Sequence, residues 1–396
     1  MEGPAPVSES TLAPATGLPD LLYTETETEL RAAVRSLLED RAQWRDVLAR
    51  TETPEPYDAG LWQALAAGVG CAGLLVPEDS GGAGASYREA AVVAEELGRA
   101  VAPVPYLGSA VVATTALLAA GDGELLAAVA SGASTASLAV PFPAAPGAVP
   151  EATVRLGAAQ PGDEPGTVRL SGTVAAVADA LPADLLLVPA DGVPYGLYLV
   201  PAGETGVTRT PAVSLDMTRQ LADLSFDDVP ARRLAVGQAA EQAVSAALAA
   251  GAAMLASEQL GAAERCLEIT VGYVKERRQF ARPVGSFQAI KHRLADVWVA
   301  VTQARAAARY AAACLASGDP DAPVAVALAK AACSDTAVRA AQEMVQLHGG
   351  IGFTWEHPAH LYLKRATSAM TGFGTPDRHR AALAGLAALP PAGPAS

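Results

Sequence analysis

The chain has 396 residues and a formal net charge of −14, and half of its residues are hydrophobic although only 5% are aromatic. This length indicates two or three packed units rather than one core, and a composition low in aromatic residues and rich in alanine favours long, closely packed helices. The acidic balance, without any run of basic residues, argues against nucleic acid as a partner, because phosphate binding requires clustered positive charge.

The chain begins with a segment that we expect to be a disordered tail, residues 1–20, made mainly of Pro, Ala, Ser, Thr and Glu. It lacks a basic stretch followed by an apolar core, so we predict no signal peptide. The most apolar segment, 243–256, is too short to span a bilayer. We therefore expect a cytoplasmic protein that does not use a membrane as a partner.

Residues 21–130 are predicted to be mainly helical. TETELRAAVRSLLED and REAAVVAEELGRA both place apolar residues at helical spacing, and a Gly- and Pro-containing loop separates them. In residues 131–237 this pattern gives way to short apolar runs, such as DLLLVPA and GLYLVPA, separated by Pro, Gly and Asp. Such spacing predicts a small antiparallel β domain, either a barrel or a sandwich.

Residues 238–389 return to long helices, which we predict at about 238–275, 286–316, 322–348 and 376–388. Long helices with short connections indicate an antiparallel bundle. The expected fold class is therefore α+β, with an N-terminal helical domain, a central β domain and a C-terminal four-helix bundle, followed by a tail at 390–396.

Cysteine and histidine give no sign of a metal site or a disulfide framework. The four cysteines are far apart in sequence, so we expect reduced, mostly buried thiols. The five histidines show no spacing typical of metal ligands, and we interpret them as structural. The residues are Cys71, Cys266, Cys314 and Cys333, and His292, His348, His357, His360 and His379.

Two long motifs in the C-terminal third resemble segments of the acyl-CoA dehydrogenase superfamily. These motifs are ERRQFARPVGSFQAIKHRLAD, from Glu276, and QLHGGIGFTWEHPAHLYLKRA, from Gln346. PEDSGGAG, EELGRA and LSFDDVPARRLAVG resemble earlier segments of the same family, so the resemblance covers about residues 23 to 390. It implies an FAD-dependent enzyme that oxidises the Cα–Cβ bond of an acyl-CoA thioester.

The resemblance implies a set of cofactor-binding residues, and their chemistry is consistent with it. Arg277 can pair with a pyrophosphate, Phe280 offers adenine an aromatic face about one helical turn further on, and Gln346 can hydrogen-bond the dinucleotide. Three glycines permit close approach of the main chain to a cofactor: Gly349, Gly350 and Gly352. In the family these residues reach the FAD of a neighbouring subunit, which implies an oligomer.

The catalytic base departs from the family pattern. Most members carry a glutamate in a Tyr-Glu-Gly-Thr turn, but the matching stretch TGFGTPDRHR places Phe373 there. Other members carry the base on the first long helix of the bundle, where this chain has Gly251. The two β segments that line the flavin ring in regular members, here SLAVPFPAAPGAVP and LSGTVAAVADALPADLLLVPA, also lack the usual polar and aromatic residues.

One acid near these positions is a candidate for a displaced base. Glu258 lies two helical turns after Gly251, among small and apolar residues, and a buried carboxylate must be paired or neutral. The alternative is a hydrogen-bonded structural or inter-subunit glutamate. Asp377 and Glu356 are weaker candidates, since Asp377 can begin the last helix after Pro376 and Glu356 can be a loop residue.

Three functions remain open from the sequence. The first is an FAD-dependent acyl-CoA dehydrogenase, a homotetramer or mixed tetramer of lipid metabolism that passes electrons to an electron-transfer flavoprotein. The second is a non-catalytic partner subunit, since some bacterial enzymes of this family pair two unlike chains and only one completes each active site. The third is a flavin oxidase or monooxygenase on the same fold.

Overall fold

Helices form the first third of the protein in the computed structural model, which describes residues 19–53, 55, 57–161, 163–164 and 166–387. The tails predicted at 1–20 and 390–396 lie outside these residues, apart from residues 19 and 20. Capping boxes at Thr24 and Ser86 begin α1 and α4. The helices are α1 (Glu25–Arg41), α2 (Trp44–Thr51), α3 (Ala59–Gln63), α4 (Tyr87–Ala100), α5 (Thr114–Ala120) and α6 (Gly123–Ala130), with a π-helical segment, Tyr106–Ala113, leading into α5.

A seven-stranded sheet forms the middle of the chain, with strand order β1-β4-β5-β7-β3-β2 and with β6 paired to β7. The strands are β1 (Ala136–Leu138), β2 (Val154–Gly157), β3 (Thr167–Ala178), β4 (Leu185–Ala190), β5 (Gly196–Pro201), β6 (Val207–Pro211) and β7 (Leu221–Val236). All of these pairs are antiparallel except β1 with β4. Alternate residues of β7 (Ala222, Leu224 and Phe226) are buried in the core of this domain, as the period of a strand requires.

The C-terminal part is a helical bundle, so the predicted α+β fold class is confirmed. Its helices are α7 (Gln238–Glu276), α8 (Gln288–Ser317), α9 (Ala322–His348), α10 (Ala359–Thr371) and α11 (Pro376–Leu386). The sequence predicted four of them and missed α10, because the buried face of α10 includes a charged residue, Arg365, which interrupts its apolar stripe. A hairpin of two-residue strands, β8 (Arg278–Gln279) and β9 (Arg282–Pro283), follows α7 and was also not predicted.

Helix α7 is the central element of the bundle. The expectation that the apolar part of this region is too short for a membrane span is wrong by length and composition, since α7 has an apolar window long enough to cross one. However, 67% of that window is buried inside the protein, against other helices of this chain. The helix packs against α4, α8 and α9, and most of its residues between 243 and 263 are buried. The N-terminal and C-terminal helical domains therefore share one hydrophobic core.

Two glycines allow α4 and α7 to cross at backbone contact. A Cβ atom at Gly98 would lie 1.9 Å from the carbonyl oxygen of Glu258, and one at Gly261 would lie 1.8 Å from that of Glu95. Neither carbonyl can move without disturbing its own helix. The crossing therefore requires glycine on both helices, and it fixes the position of α7 relative to the N-terminal domain.

We expect Gly261→Ala to lower the free energy of unfolding by about 2–4 kcal/mol, because the added methyl overlaps a backbone carbonyl. The matched control is Gly272→Ala on the same helix, where nothing lies within 4 Å of the new Cβ. That control should be neutral or stabilising by up to about 1 kcal/mol. Urea denaturation of both variants measures the difference, and equal midpoints would contradict the close crossing.

Candidate functional site

The two segments predicted to bind the cofactor lie side by side. The ring of Tyr273, one turn before the end of α7, stacks on the ring of His348 at the end of α9, with centroids 4.3 Å apart. The Tyr273 hydroxyl also donates a hydrogen bond of 3.4 Å to the carbonyl of His348. This contact brings the Arg277–Phe280 segment next to the Gln346–Gly352 segment, although about 70 residues separate them in sequence.

Arg277 and Phe280 are both exposed beyond the end of α7. Arg277 is the C-cap residue, and Phe280 lies in the β8–β9 turn at φ +52°, with 87% of its surface exposed. The expectation that Phe280 follows Arg277 by one helical turn is wrong, because α7 ends at Glu276. The turn instead presents Phe280 outward, against the edge of Phe287 at a centroid distance of 6.1 Å.

The Gln346–Gly352 segment ends α9 and turns away from it. Gln346 is exposed, and the ideal Cβ positions of Gly349 and Gly350 have no heavy atom within 4 Å, so a ligand can approach the main chain here. Gly352 has a different role, because a Cβ there would lie 2.5 Å from the carbonyl of Val345. Gly352 therefore shapes the turn, while the other two glycines are open to a ligand.

Aromatic and imidazole rings pack against one another on the buried side of the Gln346–Gly352 segment. His348 is buried beside His357, with ring centroids 4.1 Å apart, and its Nε2 has no hydrogen-bond partner among the described residues. Burial lowers the pKa of His348, and burial together with the neighbouring His348 and His360 lowers that of His357 to about 4. Both imidazole rings are therefore neutral near pH 7. Within the described residues, no cluster of His, Cys, Asp or Glu could hold a metal ion.

The two neighbouring segments Arg277–Phe280 and Gln346–Gly352, together called the cofactor segment, suit the pyrophosphate and adenosine half of FAD better than the flavin half. They offer an exposed guanidinium, an exposed aromatic ring, an exposed amide and open glycine main chain. All of these groups face outward rather than into the fold of this chain. This geometry agrees with the expectation that they reach a cofactor held by a neighbouring subunit.

We expect Arg277→Ala to weaken FAD retention by roughly 1.5–3 kcal/mol in the assembled oligomer, because it removes a charge-assisted contact to pyrophosphate. The matched control is Arg278→Ala, which removes the same charge from the adjacent exposed residue. Flavin content at limiting FAD, measured by absorbance after gel filtration, gives the result. Equal loss in both variants would show a general effect of charge and contradict a specific contact.

The two positions at which family members carry the base face each other in this chain, and an aromatic ring fills the space between them. A Cβ at Gly251 would lie 2.7 Å from Cζ of Phe373, whose side chain is buried. The Phe373 ring packs edge-on against the Phe142 ring at a centroid distance of 5.6 Å. The backbone N–H of Phe373 also donates a hydrogen bond of 2.7 Å to the backbone carbonyl of Phe142. Between these rings, the π-helical segment Tyr106–Ala113 and strands β1 and β3, the structure leaves a cavity of about 10 Å³, which is at most the space for one water molecule.

Glu258 is the centre of a buried ion-pair network. Its carboxylate accepts hydrogen bonds from Nη2 of Arg219 at 2.6 and 2.7 Å and from Nε of Arg365 at 2.8 Å. Arg365 also lies 3.5 Å from Asp216 and donates to the hydroxyl of Thr218 at 3.1 Å. Four of the five side chains carry charge, and two positive groups are matched by two negative ones.

These surroundings argue against Glu258 as the catalytic base. Burial alone would raise its pKa, but the charges of Arg219 and Arg365 outweigh that effect and lower the pKa to about 2. A general base for an α-proton needs the opposite shift. The guanidinium of Arg219 also lies over Phe142, 5.4 Å from its ring centroid. We therefore assign Glu258 a structural role, the alternative that the sequence left open.

The two weaker acid candidates are exposed. Asp377 lies in the first turn of α11 after Pro376, and Nη1 of Arg380 donates to it at 2.9 Å. Glu356 lies in the loop before α10. The position of Asp377 is the one expected for a helix-initiating residue, and neither carboxylate has the shielded position that a base requires.

Comparisons of this chain with known proteins agree with its architecture, which is that of a three-domain flavoprotein oxidoreductase. The family models for the acyl-CoA dehydrogenase N-terminal and C-terminal domains match residues 24–132 and 240–386. Acyl-CoA dehydrogenase IpdE2 of Mycolicibacterium smegmatis is 36% identical over 353 residues, which is 89% of this chain and 96% of that protein.

Two solved structures are similar over nearly the whole chain. A variant of the Tcur3481-Tcur3483 steroid ACAD has a TM-score of 0.80 and 32% identity, covering 92% of this chain and 98% of that one. The ChsE4-ChsE5 complex from Mycobacterium tuberculosis has a TM-score of 0.83 and 27% identity, covering 94% of this chain and all of the matched chain.

The chain belongs to the acyl-CoA dehydrogenase family. The reaction of this family is the α,β-dehydrogenation of acyl-CoA thioesters, its cofactor is FAD, and its substrates belong to lipid metabolism. The resemblance found in the sequence and the FAD expected from it are thereby confirmed. The individual site residues stay predictions, which the substitutions described here test.

Proposed function

We propose that this chain is the base-lacking subunit of a mixed-subunit, FAD-dependent acyl-CoA dehydrogenase. The observation that carries the proposal is the close packing of Phe373 on Gly251. A Cβ added at Gly251 would lie only 2.7 Å from Cζ of Phe373. Both family positions for the base are occupied by residues without a carboxylate, and the ring fills the space in which one would act. This chain then cannot remove the α-proton, and the unlike subunit supplies the base.

The exposed cofactor segment gives this subunit a positive role. Arg277, Phe280 and Gln346 face outward, where they can contact the adenosine and pyrophosphate of FAD bound to the unlike chain. FAD, when bound, accepts the hydride that leaves Cβ of the thioester. The contribution of this chain is to hold the cofactor and to exclude water from one side of the assembled site.

The similar structures support a pairing of unlike chains. Both the Tcur3481-Tcur3483 protein and the ChsE4-ChsE5 complex are named for two components. The first is described as a steroid ACAD, so a steroid-derived acyl-CoA is the substrate class that we propose to test first. We further propose a tetramer with two copies of each chain, an electron-transfer flavoprotein as the electron acceptor, and a cytoplasmic location.

Co-expression with an unlike member of the family tests the proposal. The chain purified alone should be colourless and inactive, whereas the co-purified pair should contain one FAD for each pair of unlike chains and should be reduced anaerobically by acyl-CoA. Flavin absorbance and the rate of bleaching measure both results. A yellow, active chain without a partner would contradict the proposal, and peroxide formation in air would indicate an oxidase instead.

A further inference from the structure

A cavity of about 440 Å³ lies between the N-terminal halves of α7 and α9 and the last helix, α11. Small side chains on the three helices create it, among them Ala249, Ala327 and Ala382, and its wall also includes Leu315, Leu386 and, from the β domain, Pro146 and Gly147. The cavity is open to solvent on the side of α11, where Ala382 and Leu386 are exposed. It begins about 30 Å along α9 from the cofactor segment, at the helical rise of 1.5 Å per residue. The cavity is therefore separate from the surface that Arg277 and Gln346 form.

The chemistry of the wall is almost entirely apolar. Among the residues that the structure describes, Ser245 and His379 are the polar side chains that line it, and no Lys, Arg, Asp or Glu does so. His379 is buried, and its Nε2 lies 2.8 Å from the carbonyl oxygen of Phe373. Because a carbonyl only accepts, Nε2 carries the proton and Nδ1 is an acceptor in the neutral ring. Burial lowers the pKa of His379 to about 4, so the ring is neutral near pH 7.

We propose that this cavity binds an uncharged, mainly hydrocarbon small molecule with at most one small polar group, such as a hydroxyl. A cavity of several hundred Å³ with an apolar wall and a few polar groups is typical of sites for drug-sized ligands. The serine hydroxyl and the imidazole provide the polar contacts, and the helices provide the apolar area. The inference does not depend on whether the chain pairs with an unlike subunit.

The same wall excludes phosphate-bearing ligands. Coenzyme A carries several phosphate charges, and recognition of phosphate uses guanidinium or ammonium groups or a helix N-terminus of suitable orientation. The described lining contains no cationic side chain. The first turn of α9 (Ala322 and Pro323) does reach the cavity, but Pro323 has no N–H to donate, so the site is poorly suited to coenzyme A. The ligand is thus distinguished from the nucleotide part of the substrate by charge.

N-phenyl-1-naphthylamine, an uncharged probe that fluoresces in apolar surroundings, tests the proposal on the full chain. We expect saturable binding of one probe per chain. Ala382→Trp, which fills the cavity from the exposed helix α11, should weaken binding by about 10-fold or more, whereas the adjacent Ala381→Trp, which does not line the cavity, should change it by less than about 2-fold. Millimolar coenzyme A should not displace the probe.

Several results would overturn the inference. Binding that is not saturable, or equal affinity in both tryptophan variants, would place the probe on another apolar surface. Displacement by coenzyme A would show a nucleotide site. Binding that appears only after truncation behind Ala387 would show that the chain's own C-terminal segment fills the cavity. Circular dichroism of both variants verifies that each is folded.

Discussion

Glu258→Gln should lower the free energy of unfolding by about 3–5 kcal/mol, the usual cost of removing one partner from a buried ion pair. The substitution keeps the size of the side chain but leaves the guanidinium groups of Arg219 and Arg365 without their shared carboxylate, in a site with almost no solvent contact. Arg219 is affected most, because its Nε already lacks a hydrogen-bond partner among the described residues.

The control is Glu241→Gln, an exposed glutamate in the first turn of the same helix. It loses only a favourable interaction with the helix dipole, so its cost should stay below about 1 kcal/mol. Urea denaturation near pH 7 compares the two variants. If Glu258→Gln keeps its stability while flavin reduction by acyl-CoA falls by about 10²-fold or more, Glu258 is the base after all and its structural assignment is wrong.

The acid dependence of stability provides an independent check on the same network. The pKa of Glu258 in the folded protein, about 2, lies below its value in the unfolded chain, which is about 4.3. Its stabilising contribution is therefore complete above about pH 4.3 and is lost as the pH falls through that value towards 2. Glu258→Gln should remove this part of the acid dependence and leave the rest of the curve unchanged.

The contrast between the two sites explains what the sequence could predict. The cofactor segment was predicted from contiguous motifs around Arg277 and Gln346, since each motif fixes the identity and spacing of its own residues. The partners of Glu258 could not be predicted in this way, because Arg219 and Arg365 lie 39 and 107 residues away and only the packing of the β domain and α10 against α7 brings them together. The sequence did predict that a buried carboxylate there must be paired or neutral.

The fold shows the same division between local and tertiary information. Helices α7, α8, α9 and α11 were predicted from their own periodicity, but α10 was missed because its buried face contains Arg365. That arginine is buried only because Glu258 and Asp216 neutralise it. Arg365, whose charge suggests a surface position in the sequence, is thus a core residue in the fold. One ion-pair network accounts both for the missed helix and for the structural role that we assign to Glu258.

In the proposed mixed enzyme, substitution of the base in the unlike chain should lower the rate of flavin reduction by at least about 10²-fold, whereas Phe373→Leu in this chain should change it by less than about 2-fold. The first substitution is made in an unlike chain chosen because it carries the glutamate of the family's Tyr-Glu-Gly-Thr turn. Glu→Gln there removes the proton acceptor without changing the size of the side chain. Phe373→Leu replaces one apolar side chain by a smaller one where no proton is transferred.

Stopped-flow bleaching of the flavin by acyl-CoA, expressed per bound FAD, measures both rates. Normalisation to bound flavin matters, because Phe373 packs between Gly251 and Phe142 and its replacement by leucine leaves a space that destabilises the fold. A loss of folded protein would then lower the amount of active enzyme but not its rate. If Phe373→Leu lowers the normalised rate as much as loss of the base in the unlike chain, the Phe373 loop takes part in the reaction. In that case the assignment of this chain as the base-lacking subunit is wrong.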